Sequence, residues 1–245
     1  MTGLTRLFVH EWKLYVRDAG SAIFGFIFPP ALLVIFGLIP MFGEPDPNLG
    51  GLRLFDLYVP IMIAVALATV AINTLPAAMA AYRERGILRK LSTTPVSPLT
   101  LLGAQLLVNL AVGLASILVM MLLARLVFDV AMPNPVALAI STVVLAPALF
   151  GIGLVISALS PSAKFASGVS TIIYFPIMFF AGLWLPRETM PDILRTISDL
   201  TPIGAGVQAL QNSFTGDWPS LASLGVMTAY AVVLTGIAAK TFRWN

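Results

Sequence analysis

Long apolar runs alternate with short polar breaks along this chain, and the alternation predicts helices before any single residue is weighed. A bilayer core of roughly 30 Å takes about 20 apolar residues as a helix, and backbone groups in lipid must satisfy one another, so such runs read as spans. Six emerge: Ala22–Met41, Leu57–Ala81, Leu99–Val127, Val136–Leu159, Phe165–Leu185 and Leu221–Ala239. The second and third exceed what a crossing needs, which predicts tilt or projection into the cytoplasm. The period-two alternation of a membrane barrel is absent. The first run is expected to stay in the mature protein, because Leu38–Gly43 offers no A-x-A-like cleavage site and the run is too long for a signal peptide.

The polar breaks differ from one another. Tyr82–Pro98 reads YRERGILRKLSTTPVSP, with Arg83, Arg85, Arg89 and Lys90 close together in a chain that has few charges elsewhere. The pattern predicts a helix through Tyr82–Arg85, a second short helix from Gly86 to Leu91 stopped before Pro95, a Ser97 cap, and Pro98 opening the third span. Such a loop serves either as a retention signal on the inner side or, with Ile87, Leu88 and Leu91 among its charges, as a plug into a groove on another protein. Ahead of the first span, at about 100° per residue, Arg6, His10, Lys13 and Arg17 share one arc and Leu4, Phe8, Trp12 and Tyr15 another. This predicts an amphipathic interface helix over residues 1–20, an anchor on anionic lipid whose basic face also suits a cytoplasmic partner.

On the opposite side, Phe42–Asp56 carries Pro45, Pro47, Gly50 and Gly51 and reads as irregular. The short turns Phe128–Pro135 and Ser160–Ala163 force antiparallel neighbours. Residues 186–220 are moderately apolar: Ile193, Leu194, Ile197 and Leu200 follow Pro191 at helical spacing, and Ile203, Val207, Leu210 and Phe214 follow Pro202. Two short helices are expected, either a re-entrant hairpin dipping into the outer leaflet or a soluble external lid.

Composition agrees: 58% hydrophobic residues, 10% charged and a mean hydropathy of +0.95 place the chain among integral membrane proteins. Basic residues set the orientation. Arg6, Lys13, Arg17, Arg83, Arg85, Arg89, Lys90, Lys164, Lys240 and Arg243 fall on one side, leaving Arg53, Arg125, Arg187 and Arg195 on the other. The richer side is expected to be cytoplasmic, with both termini. There is no cysteine, which removes disulfides and thiolate chemistry, and His10 lies outside the spans. The deep parts of the spans hold no Asp, Glu, Lys, Arg or His, only Thr69, Asn73, Thr74, Gln105, Asn109, Ser116, Ser141 and Thr142, which suit hydrogen bonds between helices. No H-E-x-x-H pattern, Ser/His pairing or phosphate loop occurs, and the chain has no Gly-Lys dipeptide. No catalytic, cofactor or metal residues are expected on this chain.

Two motifs carry a resemblance. The run ERGILRKLSTTPVSPLTLLGAQ, Glu84–Gln105, matches through Glu84, Gly86, Leu91, Thr94, Pro95, Val96 and Ser97; the run FAGLWLPRETMPDILRTISDLTPI, Phe180–Ile203, matches through Pro186, Pro191 and Pro202. Together, in this order on six spans, they resemble the membrane-spanning permeases of the ABC type-2 exporters. The pattern departs after Pro202, where Gly204, Ala205 and Gly206 replace a usual aromatic, and near Gln211, which replaces a common arginine.

The resemblance implies an all-α integral membrane protein, 1–245 as one transmembrane domain, with residues 82–98 as a cytoplasmic coupling loop and 186–220 as an external hairpin. Arg83, Glu84, Arg85, Gly86, Leu88, Arg89, Lys90 and Leu91 would couple to a cytoplasmic ATP-binding cassette ATPase that holds ATP and Mg, while a second permease chain, identical or different, completes the path. No nucleic acid is expected as a partner. Phe28, Met62, Asn73, Asn109, Tyr174 and Phe179, with Phe24, Phe36, Phe175 and Met178, either line a path for an amphiphilic drug-like molecule or lipid or pack the core. The competing readings are a gradient-driven carrier, which needs a titratable group within a span, and a non-transporting assembly subunit.

Overall fold

The computed structural model describes residues 3–47, 51–87 and 98–241, which are helical apart from turns and one isolated bridge between Pro45 and Arg53. An N-terminal helix, Gly3–Arg17, precedes the spans. Among the described residues six helices are long and apolar enough to cross a membrane: Ala19–Gly37, Leu54–Glu84, a third beginning at Pro98 and ending at Leu126, Pro135–Leu159, Ala163–Phe180 and Leu221–Thr241. Between the fifth and sixth lie the two short helices Asp192–Leu200 and Pro202–Thr215.

Each span appears where the apolar runs place it, but several ends move. The first stops at Gly37 and not Met41, because Ile39 ahead of Pro40 is extended and a separate turn of helix, Pro40–Gly43, follows. The fifth stops at Phe180 and not Leu185, since the chain turns out of the helix at Gly182, whose φ of +89° suits glycine. The second runs longer than its apolar stretch, from Leu54 to Glu84, and carries polar residues into the helix at both ends. The expected helix from Gly86 to Leu91 and the Ser97 cap fall largely outside the described residues.

The second span is the axis of the bundle. From Tyr58 to Ile72 every residue is buried, and alternating small residues such as Ala64, Ala66 and Ala68 let its neighbours approach. The first, third, fourth and fifth spans pack around it, the sixth lies behind the fourth, and the N-terminal helix crosses the third. The helix Pro202–Thr215 is also core, burying Ile203, Val207 and Leu210 against the second, fourth and sixth spans.

Among the described residues two wide π-turns interrupt the helices, Ile23–Ile27 in the first span and Val70–Thr74 in the second, and the two touch. Prolines explain both. Pro30 has no N–H for the Phe26 carbonyl and Pro76 none for that of Ile72, and a proline ring crowds the preceding turn, so each helix widens before it. The third span repairs the first case: the Ser116 hydroxyl donates to the Phe26 carbonyl at 3.3 Å. The fourth span reaches the second turn through Gly153, where any Cβ would collide with the Ala71 carbonyl.

Long-range bonds sort the connections into two ends. At one end Arg53 donates to the Phe128 carbonyl at 3.0 Å, and Tyr58 to the Leu183 carbonyl at 3.2 Å. The other end gathers the N-terminal helix, the foot of the second span and the turn between the fourth and fifth.

Candidate functional site

The foot of the second span is where separate elements meet. Successive helical residues point about 100° apart, so Tyr82, Arg83 and Glu84 face three directions, and each holds a different part of the bundle. The Tyr82 hydroxyl donates to Glu11 Oε2 on the N-terminal helix at 2.5 Å, and Gln105 Nε2 of the third span donates to the same oxygen at 2.6 Å. Arg83 donates to the Ser160 carbonyl at 2.6 Å and the Ser157 carbonyl at 3.1 Å, closing the end of the fourth span. Glu84 Oε2 accepts from the Ala163 N–H at 3.2 Å, at the start of the fifth.

The chemistry suits the positions. Pro161 has no N–H to return to Ser157, so the fourth span ends on a carbonyl that an outside donor must satisfy. The Arg83 cation sits at the negative end of that helix, and the Glu84 carboxylate at the positive end of the next. Three consecutive side chains thus join the root of the 82–98 segment to the N-terminal helix and to the third, fourth and fifth spans.

Beyond them, Arg85 is exposed and Gly86 turns the chain at φ +66°. Leu88, Arg89, Lys90 and Leu91 lie outside the described residues. On the N-terminal helix Arg6, His10, Lys13 and Arg17 are all exposed, whereas Glu11 is only 4% exposed. Tyr15 donates to the Ser21 carbonyl at 2.8 Å, and burial, with Asp18 adding, pushes its phenol above the usual range.

The residues expected along a path lie on four of the spans, the first, second, third and fifth. Met62 has no exposed surface in the core. Asn109 donates to the Gln105 carbonyl at 2.9 Å, and its Oδ1 accepts from the Thr74 hydroxyl beside the wide turn. Tyr174 of the fifth span meets Thr69 of the second through their hydroxyls at 2.7 Å. Asn73 is half-buried near that level; Phe28 lies against Phe24 with ring centres 6.0 Å apart, and Phe179 against Phe180 at 5.4 Å.

At the opposite end Arg187 grips Asp199 with two bonds, 2.7 and 2.6 Å, and Ser198 donates to the Phe180 carbonyl at 2.8 Å, locking the helix Asp192–Leu200 to the end of the fifth span. Pro186 is buried, Pro191 exposed just before this helix, and Pro202 buried as the first residue of the next. A cavity of about 540 Å³ opens here, where Arg53, Asp56, Arg187, Gln208 and Asn212 stand beside Gln211. The side-chain bond to Asp56 raises the Arg53 pKa above the usual range, against the opposing effect of burial.

Reasoning from sequence missed Glu11, and it placed Tyr82 and Gln105 without joining them. The signal for Glu11 was present: it lies one helical turn from both Leu7 and Tyr15, on the face that packs.

Comparison with known proteins shows the family of the chain. The profile of the ABC-2 type transporter family matches residues 2–215. The "Putative transport permease YvfS" of Bacillus subtilis (strain 168) is 24% identical over 230 residues, which cover 90% of each chain. The chain belongs to the ABC-2 type transporter family, and with its six apolar helices it is a multi-pass membrane component of transport.

Proposed function

We propose that this chain is the permease half of an ATP-powered exporter, driven by an ATPase on a separate cytoplasmic chain that docks on the 82–98 segment. The observation that carries the reading is the three-way attachment of Tyr82, Arg83 and Glu84: a push on the segment beyond Gly86 reaches the N-terminal helix and the fourth and fifth spans through direct hydrogen bonds, and the third span by way of Glu11. Packed helices respond to such a push as rigid bodies, which suits alternating access. The excess of basic residues at that end supports its cytoplasmic placement, with both termini, in the cell membrane.

A second permease chain, identical or different, completes the path. An amphiphilic drug-like molecule or a lipid is the cargo best suited to it, because the spans hold no basic cluster for a sugar phosphate. The N-terminal helix is the interface helix of this reading. The outer helix pair is its re-entrant hairpin: Ile193 is 76% and Leu200 61% exposed, an apolar face suited to the outer leaflet.

The test is affinity purification from native membranes, comparing the unaltered chain with the charge reversals Arg85→Glu, Arg89→Glu and Lys90→Glu together. The reading expects a Mg- and ATP-dependent hydrolase to accompany the first and to be lost from the second. Retention of the same activity by the reversed chain would move the docking surface elsewhere, and absence of any hydrolase from intact complexes would remove ATP coupling.

A further inference from the structure

Among the described residues, Glu11 is the one charged side chain in the buried interior. Its Oε2 accepts from two neutral donors, Tyr82 and Gln105, and no described lysine or arginine forms an ion pair with it. A carboxylate withdrawn from water is costly unless a cation joins it. Beside it lies a cavity of about 580 Å³ between the N-terminal helix, the start of the first span and the foot of the second. Glu11, Tyr82 and Gln105 stand in its wall, and Arg17, Asp18 and Arg85 are exposed at its mouth. Asp18 already accepts from the Ser21 hydroxyl at 2.5 Å.

We propose that this cavity binds a zwitterionic headgroup, a primary ammonium linked to a phosphate as in phosphatidylethanolamine, with the ammonium against Glu11 and the phosphate at Arg17 and Arg85. An anionic wall behind a mouth that holds two cations, Arg17 and Arg85, against the one carboxylate of Asp18 matches that order of charges. The acceptors available to the ammonium are Glu11, the Tyr82 oxygen and Asp18, and they call for N–H donors, which a quaternary choline lacks. A headgroup carrying phosphate alone would bring a negative charge toward Glu11. The depth also fits, because Ser21 at the start of the first span lines the same cavity. Assigning the lipid to the inner leaflet rests on the proposed orientation; the chemistry of the site does not.

The experiment is native mass spectrometry of the purified full chain in its complex, equilibrated with equal amounts of phosphatidylethanolamine, its mono- and dimethyl derivatives, phosphatidylcholine and phosphatidylglycerol. The site predicts retention falling stepwise with methylation, by about tenfold in all, the worth of one charge-assisted hydrogen bond. Glu11→Gln, which keeps an acceptor for Tyr82, should abolish the preference, while Arg17→Gln should weaken all the phospholipids alike. Displacement by soluble phosphoethanolamine would assign the headgroup to a soluble source, and resistance to it would assign the membrane; either sustains the site. Equal retention across the methylation series, measured on the unaltered protein, overturns it, as does a preference that survives in Glu11→Gln. Failure here leaves the copurified hydrolase untouched, so the two readings fall separately.

Discussion

Replacing Arg83 isolates the step between the cytoplasmic segment and the spans. Arg83→Met keeps the length and apolar stem of the side chain but removes its bonds to the Ser157 and Ser160 carbonyls. The carbonyl of Ser157 then has no donor from its own helix, because Pro161 follows. Hydrogen bonds to a charged group contribute about 1.5–3 kcal/mol when buried, and a half-buried arginine warrants a lower figure, about 1 kcal/mol each. Losing both gives about 2 kcal/mol, or roughly thirtyfold in a local opening equilibrium. Hydrogen exchange of the complex in nanodiscs reads this directly at the end of the fourth span, over residues 155–162. Arg83→Met should exchange there roughly thirtyfold faster, and Arg83→Lys, which keeps the charge with fewer donors, should lie between. Unchanged exchange over 155–162, or faster exchange confined to the second span itself, would refute the inferred link.

Other contacts give sharper or coarser tests. Ser116→Ala leaves the Phe26 carbonyl without its donor and should destabilise the protein in detergent by about 1 kcal/mol, but not in a Pro30→Ala background, where residue 30 regains its N–H; equal costs in both backgrounds would break the argument. Gly153→Val should destabilise the protein by about 2 kcal/mol or more, read as a lower midpoint of thermal unfolding, since its Cβ overlaps the Ala71 carbonyl, and a valine variant as stable as the parent would contradict the close approach. Arg187→Lys surrenders the two-bond grip on Asp199 and should speed hydrogen exchange over 187–200 about fivefold while leaving the foot of the second span unchanged.

The spans were legible because lipid demands long apolar helices, and six runs met that demand. Their ends were less legible: Pro40 and Gly182 end helices inside apolar sequence, while Tyr82–Glu84 extend one beyond it. Prolines 30 and 76 lie inside runs that periodicity reads as unbroken spans, and the wide turns before them meet Ser116 and Gly153, residues far along the chain that periodicity does not join. The candidate site shows the same division. Arg83 and Glu84 stood out as charges beside an apolar run, yet their partners Ser160 and Ala163 lie near eighty residues away, and only packing brings them together. Glu11 sits among the basic residues of the N-terminal helix, yet its spacing from Leu7 and Tyr15 puts it on the packed face.

Because the chain has no cysteine, one introduced thiol is unique, which makes possible the most direct test of a cytoplasmic ATPase acting through the foot of the second span. A single cysteine would be placed at Arg85, with a control at Asp217, and treated in intact cells with a membrane-impermeant thiol reagent and separately with a short permeant crosslinker. The account predicts that the Asp217→Cys thiol is labelled from outside, and that the Arg85→Cys thiol is shielded from outside and crosslinks to an ATP-hydrolysing chain. Labelling of Arg85→Cys from outside, or its failure to crosslink to any such chain in the assembled complex, would contradict it.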